Sequence, residues 1–173
     1  IGAWRIGFQA AYLMEYEVEV ANRTNNGVTI FDAVGEYNDG NPVARPLPEW
    51  KANTTVNWSL DQHRAFFILK YVDGVNHNFT GGSTFFAATA GLAHGAAFAA
   101  DFLDSSIDSW LTADMNYTYS LGELRFLNDA SVTIGVQNIT NEEPPFVPVI
   151  TGYDGTLHDP RGRVWSIRVN ASM

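Results

Sequence analysis

The run Trp50-Lys51-Ala52-Asn53-Thr54-Thr55-Val56-Asn57-Trp58-Ser59-Leu60 alternates from end to end. Trp50, Ala52, Thr54, Val56, Trp58 and Leu60 share one side; Glu49, Lys51, Asn53, Thr55, Asn57 and Ser59 share the other. Successive side chains of a strand point to opposite faces, so this period of two reads as a β-strand with one apolar and one hydrated face. Asp61-Gln62-His63 is a short turn of turn-forming composition. After it Ala65, Phe67, Leu69 and Tyr71 resume the apolar side, although Phe66, Ile68 and Val72 make the opposite side partly apolar. Strands joined by so short a turn run antiparallel.

The pattern continues in both directions. Upstream, the even positions from Trp4 through Ile6, Phe8, Ala10, Tyr12, Met14, Tyr16 and Val18 to Val20 are all apolar or aromatic, and the odd ones include Arg5, Gln9, Glu15, Glu17 and Glu19. That predicts one strand over 4–20, longer than the usual ~5–6 residues, with its acidic end projecting past the layer that the apolar face covers. Downstream, Leu111, Ala113, Met115, Tyr117 and Tyr119 make a third apolar row, opposite Thr112, Asp114, Asn116, Thr118 and Ser120. Ala130, Val132, Ile134 and Val136 make a fourth, and Trp165, Ile167, Val169, Ala171 and Met173 a fifth. In all about six strands are expected, linked by long segments at 21–48, 73–108 and 140–163 and by short ones at 61–63 and 121–129. Alternating long and short links describe an all-β, antiparallel, up-and-down sheet with one plain end and one elaborated end.

Composition narrows the setting. The 173 residues carry 10 Lys+Arg against 19 Asp+Glu, a net charge of −9, which argues against a nucleic-acid partner. With no cysteine there is no disulfide framework, thiolate metal site or Cys nucleophile. A mean hydropathy of −0.10 excludes a helical membrane bundle. It leaves a membrane β-barrel open, because alternating strands average out. Trp4, Tyr16, Trp50, Trp58, Tyr119 and Trp165 lie near the ends of apolar rows, where interfacial girdles sit. Full charges on the polar side, including Arg5, Glu15, Lys51, Asp114 and Arg168, suit a wet lumen. The smallest membrane barrels have about eight strands, and an open sheet edge in lipid costs several kcal/mol per unpaired group. Six strands in a membrane are therefore expected to be part of a larger barrel. The opening Ile1-Gly2-Ala3-Trp4 fits either a processed leader or a piece of a longer chain. Two alternatives stay open: a soluble secreted β-sandwich such as a carbohydrate-binding module, and a small self-contained outer-membrane barrel with two further strands hidden in the long segments.

Three stretches carry a family resemblance. The first is Gly135-Val136-Gln137-Asn138-Ile139-Thr140-Asn141-Glu142-Glu143-Pro144-Pro145-Phe146. The second is Gly152-Tyr153-Asp154 followed by His158-Asp159-Pro160-Arg161-Gly162-Arg163-Val164-Trp165. The third is Ile107-Asp108-Ser109-Trp110 with Asp114 and Tyr117, and Arg45-Pro46-Leu47-Pro48-Glu49-Trp50-Lys51 fits with it. Together they resemble the last strands and last loop of a TonB-dependent outer-membrane receptor, over nearly the whole chain. The resemblance implies a plugged barrel of about 22 strands in the bacterial outer membrane, of which these would be the last six. It implies import of a scarce small-molecule or glycan ligand, such as an iron chelate or a cobalamin, energised through TonB by way of a plug. Its partners would be outer-membrane lipid, the remaining strands and that plug. Family barrels usually finish on an aromatic residue, whereas the final outward position here is Met173.

Read from the residues alone, the motifs are structural. Pro144 and Pro145 cannot continue a ladder, Asp159-Pro160 and Gly162 punctuate the return, and Arg161 and Arg163 are candidates to pair with Glu142 and Glu143. Catalytic chemistry is thin, and no enzyme or cofactor is expected. His63, His77, His94 and His158 have no zinc-site spacing and read as solvated polar side chains. Seven N-x-S/T triplets arise from polar strands rich in Asn, Ser and Thr and carry no glycosylation reading. The uncharged segment 74–100 places Phe85, Leu92 and Ala96 near one helical stripe, so a loop helix is expected there. Phe85, Phe86, His94, Asp101 and Asp104 are the candidate ligand contacts of that loop.

Overall fold

The computed structural model describes residues 1–22, 27–38, 45–76, 106–124, 127–147 and 152–172. It is all-β and antiparallel, with no helix among the described residues. Six strands form one open sheet: β1 (Ala3–Tyr12), β4 (Trp50–Leu60), β5 (His63–Val72), β6 (Trp110–Leu124), β7 (Leu127–Gln137) and β8 (Val164–Ser172). They lie in sequence order, β1 and β8 forming the two edges. Two further strands, β2 (Glu17–Asn22) and β3 (Gly27–Asp32), pair with each other between β1 and β4.

The register carries the alternation across the whole sheet. Trp4, Trp58, Ala65, Tyr117, Ile134 and Ile167 form one continuous cross-strand row. The row beside it is Ile6, Val56, Phe67, Met115, Val136 and Trp165. One face is thus apolar in every strand. Trp4 is 60% exposed, Ile6 72% and Ile167 75%, so no second layer among the described residues covers it. The β2–β3 hairpin makes no strand-to-strand contact with this sheet. The opposite face presents Arg5, Asn57, Phe66, Asn116, Gly135 and Ser166 in one row. Gly135 leaves room in that row: a Cβ there would lie 2.5 Å from Asn116 Oδ1 and 2.6 Å from Ser166 Oγ, and those side chains would have to move aside.

The strands are staggered. From the Trp4–Ile167 row to the long-segment end, β1 runs eight residues to Tyr12, while β8 runs three to Val164. Such progressive stagger is the shear that accompanies strand tilt in curved and closed sheets. At the plain end Asp61 takes a left-handed conformation, φ 50°, which Asp tolerates in a tight turn. The β6–β7 turn is longer-armed than expected, with bulges around Gly122, φ 69°, and Asp129, φ 51°.

The single strand expected over 4–20 is two strands in different sheets. Leu13 N–H still donates to Glu49 O at 2.9 Å, then the chain departs. Asp32 captures it: its Oδ1 accepts the N–H of Tyr16 and of Val34, each at 3.0 Å. Those two N–H donors hold the Asp32 carboxyl below its ordinary value. Val18, Val20, Phe31 and Leu47 then pack around Ala33, which turns the acidic half of the pattern into a hairpin with its own small core. The segment 21–48, expected to be a long connection at the elaborated end, therefore holds half of that hairpin.

Candidate functional site

Backbone bridges join the roots of the long segments above the sheet. Asn76 N–H donates to Gly35 O at 2.7 Å, and Tyr37 N–H returns a bond to Asn76 O at 2.8 Å. Val75 and Ile107 exchange bonds of 3.0 and 2.8 Å. Tyr37, Val75, Ile107 and Val147, one or two from each long segment, form a shared buried core. Asn38, buried and at φ 59°, donates from Nδ2 to the carbonyls of Ala33 and Arg45 at 2.9 and 3.0 Å. The elaborated end is thus one joined platform rather than separate loops.

The motif residues of the last long segment meet the sheet beside this core. Asp114, on the polar face of β6, accepts Lys70 Nζ at 2.5 Å on one oxygen and the Asn138 N–H at 2.9 Å on the other. Asn138, buried and at φ 50°, works as a two-sided clamp. Its Nδ2 donates to Glu142 O at 2.8 Å, and its Oδ1 accepts the Glu142 N–H at 2.9 Å. Asn141 Oδ1 accepts the Arg163 N–H at 2.9 Å, and a Cβ on Gly162 would lie 2.9 Å from that same oxygen. Trp110 Nε1 donates to Glu143 O at 3.1 Å, just ahead of the half-buried Pro144 and Pro145. The stretches quoted for the resemblance, far apart in sequence, are brought together here.

Arg161 does not reach Glu142 or Glu143. It folds back across Pro160 onto Asp159, with Nε to Oδ1 at 2.9 Å and an η nitrogen to Oδ2 at 2.6 Å. This paired fork holds the Asp159 carboxyl down at about 2. His158 is also not solvated: it is 4% exposed, and its ring stands edge-on to Trp110 at 5.3 Å. Burial pushes the imidazole below its ordinary value, Asp154 opposes this and Lys51 adds to it. Burial pushes the Asp154 carboxyl up, but donors from Thr156 and the Tyr37 hydroxyl outweigh it and leave the group lowered.

The girdle aromatics divide between the two ends. Trp4, Trp58 and Tyr119 lie toward the plain end with His63, whose Nδ1 is 2.5 Å from the Tyr117 hydroxyl. Tyr12 stacks on Trp50 at 4.5 Å at the elaborated end, and Trp165 begins β8 there. Tyr16 lies off the sheet, at the root of the β2–β3 hairpin. Phe85, Phe86, His77, His94, Asp101, Asp104, the expected loop helix and Met173 lie outside the described residues.

No protein-family model, curated protein or solved structure matches this chain.

Chemically, the platform is a scaffold. Donors from Thr156 and Tyr37 hold the Asp154 carboxyl, and the Arg161 fork holds the Asp159 carboxyl, below their ordinary values, and burial disposes the His158 imidazole to stay neutral. No group of three His, Cys, Asp or Glu side chains fit to hold a metal occurs among the described residues. Sequence reasoning missed Tyr37 and Lys70 as parts of the platform. Nothing local marks them, because their partners lie on other segments.

Proposed function

We propose that this chain is the C-terminal section of a TonB-dependent receptor barrel in the bacterial outer membrane. The observation that carries this reading is the uncovered apolar face, continuous across six strands and backed by a polar face. A sandwich would bury such a face under a second sheet. The other sheet among the described residues, β2–β3, packs instead on Leu47 and Ala33. Lipid is the remaining solvent for that face, and lipid tolerates strands only in a closed barrel. The free edges of β1 and β8 then pair with the remaining barrel strands. The polar face lines a lumen beside the plug, and TonB acts through that plug. The joined platform holds the ligand-selecting segments at the cell surface. The role is import of a scarce ligand (an iron chelate, a cobalamin or a glycan) and not catalysis.

These 173 residues hold no cysteine, so once any cysteine elsewhere in the whole protein is replaced, labelling reports single chosen positions. Single-cysteine variants of the whole protein are exposed to a water-soluble maleimide in isolated outer membranes. Ile6→Cys and Ile167→Cys are expected to resist labelling until detergent or denaturant is added, while Ser166→Cys labels through the lumen. Prompt labelling of the apolar pair in membranes, or recovery of the protein in the soluble fraction, overturns the reading in favour of a soluble sandwich.

A further inference from the structure

The polar face has a charge bias opposite to that of the chain. Within the regularly paired strand residues it carries Arg5, Lys51, Arg64, Lys70 and Arg168 against the carboxylate of Asp114, with Glu49 continuing the same side just ahead of β4. The whole chain, by contrast, is −9. Among the described residues the salt bridges are Lys70–Asp114 and Arg161–Asp159, so Arg5, Arg64 and Arg168 have no acidic partner there. Arginines with no acidic partner among the described residues give that part of the face a positive field.

Two of these arginines share a cavity. Toward the plain end of the polar face lies a hollow of about 520 Å³ lined by Arg5, Arg64, Asn57, Asn116, Thr118 and Phe66, among others. Register explains the convergence. Arg5 pairs with Asn57 and Arg64 with Ser59, so the two arginines are separated by two strand spacings and two residues. That is about 10 Å across and about 7 Å along the strands, within reach of two facing guanidinium forks. Arg168 shares a row with Arg64 but stands three strands away, outside the hollow.

We propose that this hollow is a binding site for a small organic carboxylate. Guanidinium groups present paired N–H donors that match a carboxylate. Asn57, Asn116 and Thr118 supply neutral hydrogen bonds around it. Phe66, the aromatic member of the polar row, supplies a surface for the apolar part of the solute. The site goes beyond the importer reading and rests only on its claim that the polar face is open to water, which labelling at Ser166→Cys checks separately.

The test is calorimetric titration of the whole protein in detergent micelles with naphthoate, beside the neutral amide naphthamide. Naphthoate is expected to bind measurably tighter than naphthamide. Arg5→Gln and Arg64→Gln should each weaken naphthoate by about tenfold or more, the scale of a charge-assisted hydrogen bond. Arg64→Lys, which keeps the charge but loses the fork, should fall between. Arg168→Gln should leave binding within about twofold of wild type, since it lies outside the hollow. Equal binding of acid and amide, or wild-type affinity in both Arg5→Gln and Arg64→Gln, overturns the proposal, and so does equal weakening by Arg168→Gln. If Ser166→Cys labels while the arginine variants are silent, the carboxylate site fails and the importer reading stands.

Discussion

Asn138 shows how much one side chain does at the elaborated end. The chain must reverse just past β7, and Asn is among the few side chains that accept a left-handed backbone at little cost. Its amide then satisfies both the N–H and the C=O of Glu142. Asn138→Ala loses both bonds and the conformational preference, and is expected to cost about 2–4 kcal/mol. Asn138→Gly keeps the backbone freedom and should cost less; urea midpoints of the two variants check the order. Asp159 makes a pH statement. Its folded value of about 2 lies below the ordinary 3.8, so its contribution is present above pH 3.8 and is lost as pH falls toward 2. The pair is exposed and solvent-screened, so that contribution is small. Arg161→Ala should return the Asp159 carboxyl toward 3.8, read by NMR titration. His158 has the opposite charge logic. Its folded value is lowered, so below the ordinary 6.5 the unfolded chain takes up a proton that the buried ring resists, and stability falls. His158→Phe should flatten the stability profile below pH 6.5 in denaturant titrations.

Elements here are decided by what pairs with them. The alternation from Trp4 to Val20 is real on both sides of Leu13, but it is shared between two sheets. The break has a cause in a partner far along the chain: Asp32 draws the Tyr16 N–H away from the β4 ladder. Asp32→Ala should loosen the β2–β3 hairpin while leaving the six-stranded sheet, seen as faster amide exchange confined to residues 16–34. The Val75–Ile107 bridge gives a second element-scale test. A Cβ on Gly74 would lie 2.6 Å from the Ile107 carbonyl oxygen, a backbone atom that no rotamer change moves aside. Gly74→Ala should therefore part the two strands of that root, at about 1–3 kcal/mol, with local loss of exchange protection at Val75 and Ile107.

At the scale of the whole molecule, an uncovered apolar face on a sheet with two open edges is unstable in water, because neither the face nor the edge groups are satisfied. Stagger across the six strands is the register shift that accompanies strand tilt. The expected consequence is a protein that stays dispersed in detergent and precipitates when detergent is removed, checked by light scattering during dialysis.

Period-two patterning named the strands, the apolar and polar faces and the alternation of long and short links, because side-chain direction in a strand is local geometry. The return at Asp159-Pro160 and Gly162 was also legible, as turn chemistry, since Asp and Gly at a chain reversal act on their own backbone. Tertiary structure decided the rest. It split the first alternation into β1 and a hairpin, buried His158 against Trp110, turned Arg161 onto Asp159, and joined the roots of the long segments through Tyr37, Val75, Ile107 and Val147. Each of these depends on a partner tens of residues away or on competition between nearby acids. A one-dimensional pattern records which side a residue faces, whereas packing and hydrogen bonding decide which neighbour it meets.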